Sequence, residues 1–284
     1  MAKSDTVRSL ADEDDAVAAD FFTAPWGTYK PGLLQSFLMG LTRRTVLQRG
    51  AAREKMTKLI TGLGRPIDTQ FRGCNFRIEG CNNLIEYGVL TRPSYNGEEI
   101  DFLLGAMEPG AVAIDIGSNI GLYSLPLAKA AGPTGHVLAI DANMDMVKRL
   151  KSNAAASDID CITALPVAVG GTAGRVDLNI RRDDVAIVSV VASETGAVDM
   201  LPLSQIVSEA GVARVDALKI DIEGFEDTAL VPYLQEAPEH LRPKRIVIEL
   251  CAPETDYPGC LAEFNRLGYS LRGRTRNNSM YGRD

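Results

Sequence analysis

Residues 112–123 read Val-Ala-Ile-Asp-Ile-Gly-Ser-Asn-Ile-Gly-Leu-Tyr, and the fold follows from this stretch. Val112–Ile116 is a nearly continuous apolar run, the pattern of a strand buried on both faces in a parallel sheet. It feeds a loop in which Gly117 and Gly121 let the backbone come close to a ligand, and a helix is expected from about Ile120 to Ala131. A strand, a glycine loop and a helix start in that order form a site for a nucleoside-type ligand.

The spacing of the loop narrows the ligand. Dinucleotide-binding folds use G-x-G-x-x-G here, whereas this chain has G-x-x-x-G with Asp115 two residues ahead of Gly117. A carboxylate at that point would repel a pyrophosphate and suits a cationic group, such as the amino group of the methionine end of S-adenosylmethionine. Twenty residues beyond Gly121, the strand His136–Ile140 ends in Asp141, placed to accept hydrogen bonds from both ribose hydroxyls. A NAD(P)-dependent reductase is the competing enzyme. It is weakened by the loop spacing and by the lack of a Tyr-x-x-x-Lys pair, since Tyr123 is followed only by Lys129. A catalytically silent cofactor-binding protein of the same fold is the other alternative.

Outward from the loop the strand–helix rhythm continues. Helices are expected at Met144–Ala156, Glu226–Leu234 and Gly259–Leu267, and strands at Ile162–Val169, Arg175–Ile180, Val215–Ile220, Arg245–Leu250 and Tyr269–Leu271. Short apolar strands alternating with helices predict a mostly parallel α/β sheet covered on both faces. Upstream, Pro31 to about Leu63 has a helical pattern, and short alternating runs (Phe76, Ile78; Leu84, Ile85) predict strands.

Residues 215–226 read Val-Asp-Ala-Leu-Lys-Ile-Asp-Ile-Glu-Gly-Phe-Glu. The strand delivers Asp221 to the carboxyl edge of the sheet, where open α/β folds bind ligands. Helix capping accounts for Glu226, but less well for three carboxylates within six residues. Neither His136 nor His240 falls at that edge, so Asp221, Glu223 and the strand-end Glu249 are the candidate catalytic bases for a hydroxyl nucleophile. A divalent ion held by them is the alternative, with direct carboxylate action preferred because no dense ligand cluster is evident in the sequence.

The run Lys219–Glu226, with Asp115–Gly121 upstream of it, resembles the FkbM family of methyltransferases. The likeness continues through Pro166–Gly170, Arg245–Leu250, Tyr95–Glu98 and Leu267–Tyr269, and so covers residues 90–284. It implies a Rossmann-like class I methyltransferase with a seven-stranded, mostly parallel sheet and helices on both faces, here with an N-terminal helical extension. The implied reaction is methyl transfer from S-adenosylmethionine to a hydroxyl of a sugar, glycolipid or polyketide-type product. Carried over by position, Asp115, Gly117, Ser118, Asn119 and Gly121 would hold the methionine end, and Asp141 with Ala142 the ribose. Val167 and Ala168 would lie near the adenine, with Asp221 and Glu223 facing the transferring methyl. The chain departs from the family at Asp141-Ala-Asn143, where Glu-Pro-Asn is more usual; the carboxylate survives.

Composition bounds the remaining partners. In 284 residues the net charge is −7, which argues against a general nucleic-acid binder, and the resemblance implies a small-molecule or glycan acceptor instead. No apolar run is long enough to span a membrane, and the acidic first twenty residues are the wrong charge for a signal peptide, so a cytoplasmic location is expected. Five cysteines without C-x-x-C spacing suggest neither a disulfide framework nor a zinc site. The organisation expected is a disordered acidic tail over 1–20, a helical and strand extension over 21–90, and the cofactor-binding domain over 91–284. Between 43 and 58 six cations face only Glu54; a solvated helix face packed on the domain is the preferred reading, and a basic amphipathic helix able to touch an anionic membrane or an acidic partner is the alternative. Nothing in the sequence sets the oligomeric state.

Overall fold

The computed structural model describes residues 21–80, 83–180, 188–192, 195–250 and 257–283. The acidic tail expected over 1–20 and most of the 181–196 insert lie outside them. Helices α1 (Leu33–Arg44) and α2 (Gly50–Gly62) open the described chain, followed by the antiparallel hairpin β1 (Ile67–Phe71) and β2 (Cys74–Ile78). Then come α3 (Leu84–Thr91), α4 (Gly97–Leu104), β3 (Val112–Ile116), α5 (Ser124–Ala131), β4 (His136–Ile140), α6 (Met144–Ala156) and β5 (Ile162–Leu165). The second half runs β6 (Ala168–Gly170), β7 (Gly174–Ile180), β8 (Val188–Ala192), β9 (Val198–Pro202), α7 (Leu203–Glu209), β10 (Ala217–Ile220), α8 (Glu226–Glu236), β11 (Arg245–Glu249), α9 (Pro258–Arg266), β12 (Ser270–Arg274) and β13 (Asn278–Gly282).

Seven strands form one sheet in the order β12-β13-β11-β10-β3-β4-β5, parallel except where β13 runs against β11 and β12. This is the expected α/β class and the strand order of a Rossmann-like class I methyltransferase. The alternation of the strands divides the core. Ala113, Val137, Ala139, Ala217 and Val247 pack with α4, α5 and α6 on one face. Ile114, Ile116, Leu138, Ile140, Leu218, Ile220, Ile246 and Ile248 pack with α7, α8 and α9 on the other. One face is built from small residues and the other from large ones, so the sheet is buried on both sides.

From β3 the chain proceeds outward to β4 and β5, then returns to β10 on the opposite side, and a reversal of this kind opens a crevice at the carboxyl ends. The register aligns that edge. Ile116 pairs with both Ile140 and Ile220, and Ile220 pairs with Ile248. Gly117, Asp141, Asp221 and Glu249, each the next residue along, therefore emerge side by side.

Several expected elements take another form. Leu84 and Ile85 lie in α3, not a strand, because Asn83 caps that helix by accepting from the Ile85 and Glu86 N–H groups. The strand expected over Ile162–Val169 is broken at Pro166, and its second half, β6, joins a separate four-stranded sheet of order β6-β9-β7-β8. The basic stretch 43–58 is not one helix: α1 ends at Arg44, a 3-10 turn covers Val46–Gln48, and α2 begins at Gly50. The extension also shares the main core, since Met39, Ile60, Ile67, Phe71, Phe76 and Ile78 belong to the same cluster as α5 and α6. Asn153 of α6 ties it further by accepting from the Arg77 N–H (2.9 Å), while the Arg77 side chain pairs with buried Asp68 (2.8 Å) and donates to the carbonyls of Phe21, Ala24 and Pro25 within the extension.

Candidate functional site

A cleft of about 780 Å³, its open mouth included, lies at the carboxyl edge. Its walls include Gly117, Asn119, Asp141, Ala142, Val167 and Ala168 from the expected cofactor set, and Asp221 and Glu223 from the expected catalytic set. Sequence reasoning had not singled out Ile85, Met146, Met200 and Phe225, which supply apolar wall. Their sequence signal is slight, since they come from four separate elements and share no motif.

The second strand-end acid is held by backbone. Asn119 N–H donates to Asp141 Oδ2 (2.7 Å) and Asn143 N–H to Oδ1 (2.8 Å), fixing the carboxylate against the glycine loop. Burial pushes the Asp141 carboxyl up to about 6, against the pull of those two N–H donors. Each oxygen keeps a lone pair for another donor.

Asp115, Ser118 and Gly121 do not line the cleft. Asp115 is fully buried beneath the loop, where Ser124 Oγ donates to its Oδ2 (2.5 Å) and Lys219 Nζ stands 3.8 Å from Oδ1. Asp115 Oδ1 and Ser118 Oγ are buried without a hydrogen-bond partner. Gly117 is where the loop meets the second motif: its φ is +74°, and a Cβ there would lie 3.1 Å from the carbonyl carbon of Asp221 and closer still to its oxygen. Only glycine fits that approach.

The three candidate catalytic acids converge. Asp221, Glu223 and Glu249 each bring a carboxylate oxygen within 4.8 Å of the other two. The dense cluster that was not evident in the sequence thus exists in space, because Glu249 arrives from β11, across the β10–β11 register. Glu223 sits in the tight turn with φ +54°, followed by Gly224 at +96°. Glu226 is taken up by capping: it is buried and accepts from the Ile222 N–H (3.0 Å). Glu249 is hydrogen-bonded to Asp221, and burial together with the charges of Asp221 and Glu223 holds its carboxyl far above the usual range, Lys219 opposing. The protonated form of Glu249 is thereby favoured beside Asp221.

Lys219 is the main residue the sequence reading passed over. Its Nζ is buried, donates to the carbonyls of Gly117 (2.8 Å) and Ile116 (3.3 Å), and stands 3.4 Å from Asp221. It also lies over the Tyr123 ring, 5.3 Å from the centroid. Burial works against its charge, but Asp221, Asp115 and Glu249 more than offset this, so its affinity for the proton is raised. A signal was present: a lone lysine in a buried strand needs an acid, and the parallel register sets Lys219 opposite Asp115. His136 stands at the opposite end of β4 and bonds Thr163 (2.9 Å), away from the cleft.

The model of the methyltransferase FkbM domain matches residues 115–271, from the start of the glycine loop to the sixth strand of the sheet. The chain belongs to this family. It is also similar to an arsenite methyltransferase of Halobacterium salinarum, 31% identical over 157 residues; the match covers 45% of this chain and 40% of that protein. The chain therefore matches less than half the length of that curated relative. Among solved structures it is similar to a putative rRNA methylase from Clostridium thermocellum (12% identity, TM-score 0.43, 66% of this chain and 94% of that one). A SAM-dependent O-methyltransferase from Thermotoga maritima gives 15% identity and TM-score 0.41 over 66% of this chain and 64% of that one. Within the FkbM domain fall all the expected site residues, Asp115 through Glu249.

Proposed function

We propose that this FkbM-domain protein is an S-adenosylmethionine-dependent methyltransferase acting on a hydroxyl of a sugar, glycolipid or polyketide-type acceptor. One observation carries the reading: Asp221, Glu223 and Glu249 converge beside a cleft whose walls also carry Gly117, Asn119 and Asp141.

The residues present fit the cofactor. Gly117 and Asn119 line the cleft where the methionine end would lie, with the orphaned Asp115 Oδ1 and Ser118 Oγ buried behind them, and Asp141, held by two N–H groups, suits a ribose diol. Val167, Ala168 and Met146 offer an apolar slot of the kind that takes a planar base. When bound, S-adenosylmethionine supplies a methyl group on a positively charged sulfur. Positive charge disappears during such a transfer, so alignment and exclusion of water carry much of the rate. The chain's own part is to position the acceptor and receive its proton. Glu249, whose proton is favoured by burial and by its acidic neighbours, supports Asp221 through their hydrogen bond, and Asp221 and Glu223 take the base and orienting roles. Lys219 pins Asp221 to the glycine loop, so loop and base move as one unit. This refines the expected roles: Asp221 and Glu223 as base and orienting group, Glu249 as support.

A divalent ion at the three carboxylates is the second reading, favoured by their mutual reach of 4.8 Å. Calorimetry with S-adenosylhomocysteine against NADPH tests the cofactor, and methyl transfer to a panel of hydroxylated acceptors tests the reaction. Binding of NADPH alone would overturn the reading. Activity unchanged after dialysis against EDTA selects direct carboxylate action; loss restored by magnesium selects the ion.

A further inference from the structure

Helix α1 turns large apolar side chains to solvent. Leu33 is 94% exposed, Phe37 64%, Leu34 56% and Leu41 40%, while Gln35, Met39 and Thr42 of the same helix are buried. The exposed positions recur at i, i+1, i+4 and i+8, so they form one stripe. Val46, in the turn that follows, is 79% exposed. Scattered apolar residues are normal on a protein surface, but five on adjoining turns are a patch.

The charge around the patch identifies what covers it. Arg44 lies three residues beyond Leu41 and so continues the stripe with a cation, and Arg49, Lys55 and Lys58 are exposed on the next turns. Arg43 by contrast points inward, donating to the Leu90 carbonyl and to Thr69 Oγ1 (both 3.0 Å). Across residues 43–58 there are six cations and one acid, in a chain whose net charge is −7. An exposed apolar stripe continued by the exposed cations Arg44 and Arg49 matches one surface in both respects, an anionic lipid bilayer. We propose that α1 and the turn after it form a peripheral docking site for anionic membrane, with Leu33, Leu34, Phe37, Leu41 and Val46 entering the acyl boundary and Arg44 and Arg49 meeting the headgroups. Helix α3 packs on both α1 and α2, and its Ile85 forms part of the cleft wall. One short helix thus connects the docking face to the site.

The test is co-sedimentation of the full chain with vesicles of phosphatidylcholine, with and without phosphatidylglycerol. Binding is expected to the anionic vesicles and to weaken as salt is raised. Phe37→Ser and Leu41→Ser should each lower partitioning about ten-fold. Arg44→Glu and Arg49→Glu should each lower it about five-fold or more. None of these residues lines the cleft, so binding of S-adenosylhomocysteine should stay unchanged, which separates this inference from the methyltransferase reading. A full chain that stays in the supernatant with both vesicle types overturns the proposal. So does a dimer in sedimentation equilibrium that Phe37→Ser dissociates, since a second copy would then cover the stripe.

Discussion

Replacing Gly117 by alanine isolates the contact that joins the two motifs. Two costs are expected. The residue has φ +74°, where a Cβ costs about 1–2 kcal/mol. The new carbon would also press on the Asp221 carbonyl, and overpacking of this kind costs about 1–3 kcal/mol more. A sum of about 2–5 kcal/mol is within the 5–15 kcal/mol typical of a domain, so the fold should survive. To relieve the clash the turn after β10 must retreat by about 1 Å, and a misplacement of that size near reacting groups costs about 100-fold in rate. Gly132→Ala is the control: it has φ +68° with nothing within 4 Å of the added carbon, and so carries the backbone cost alone. Urea unfolding, calorimetry with S-adenosylhomocysteine and methyl-transfer rates should be compared for the two variants. Gly132→Ala should lose only stability, by about 1–3 kcal/mol given its extended ψ of −174°. Gly117→Ala should lose that and the activity as well. Wild-type binding and turnover in Gly117→Ala would refute the coupling of loop and acid turn.

Because burial raises the Asp141 carboxyl to about 6, its ionisation in the empty protein opposes folding: this stability contribution is complete below the ordinary carboxylate range and is lost as pH rises through about 6. A ribose that donates to the ionised form reverses the preference, so S-adenosylhomocysteine should bind up to about ten-fold more weakly per pH unit below 6, and Asp141→Asn should flatten the profile in calorimetry. Glu249→Gln keeps a donor toward Asp221 and should hold turnover within about three-fold, whereas Asp221→Asn should lose about 100-fold or more; equal losses in steady-state assays would contradict the assigned proton positions. Lys219→Ala leaves buried Asp115 without a counter-charge and should cost about 3–5 kcal/mol in urea unfolding.

The central strands were legible because each is a short apolar run bounded by a glycine loop or an acid, and α6 matched its expected bounds, fixed by the Asn143 cap. Strands β9 and β13 were not legible. Asn-Ser-Met-Tyr-Gly of β13 is buried throughout yet carries no apolar pattern, since its place is set by pairing with β11 and β12. The site was legible as two motifs with a strand-end acid. What could not be read was their joining: Glu249 beside Asp221, and Lys219 between Asp115 and Asp221, depend on strand register, which local sequence does not state.

That register has a consequence for divergence. Gly117, Asp141 and Asp221 are each the first residue after their own strand and Glu249 is the last of β11, so the length of the loop that follows is free to vary without moving them. A single residue inserted within β3, β4, β10 or β11 would instead turn the side chain that ends the strand to the opposite face of the sheet. Change in such a protein is thus channelled: the chemistry is locked by four short strands, and novelty in what is recognised accumulates in the connections beyond them.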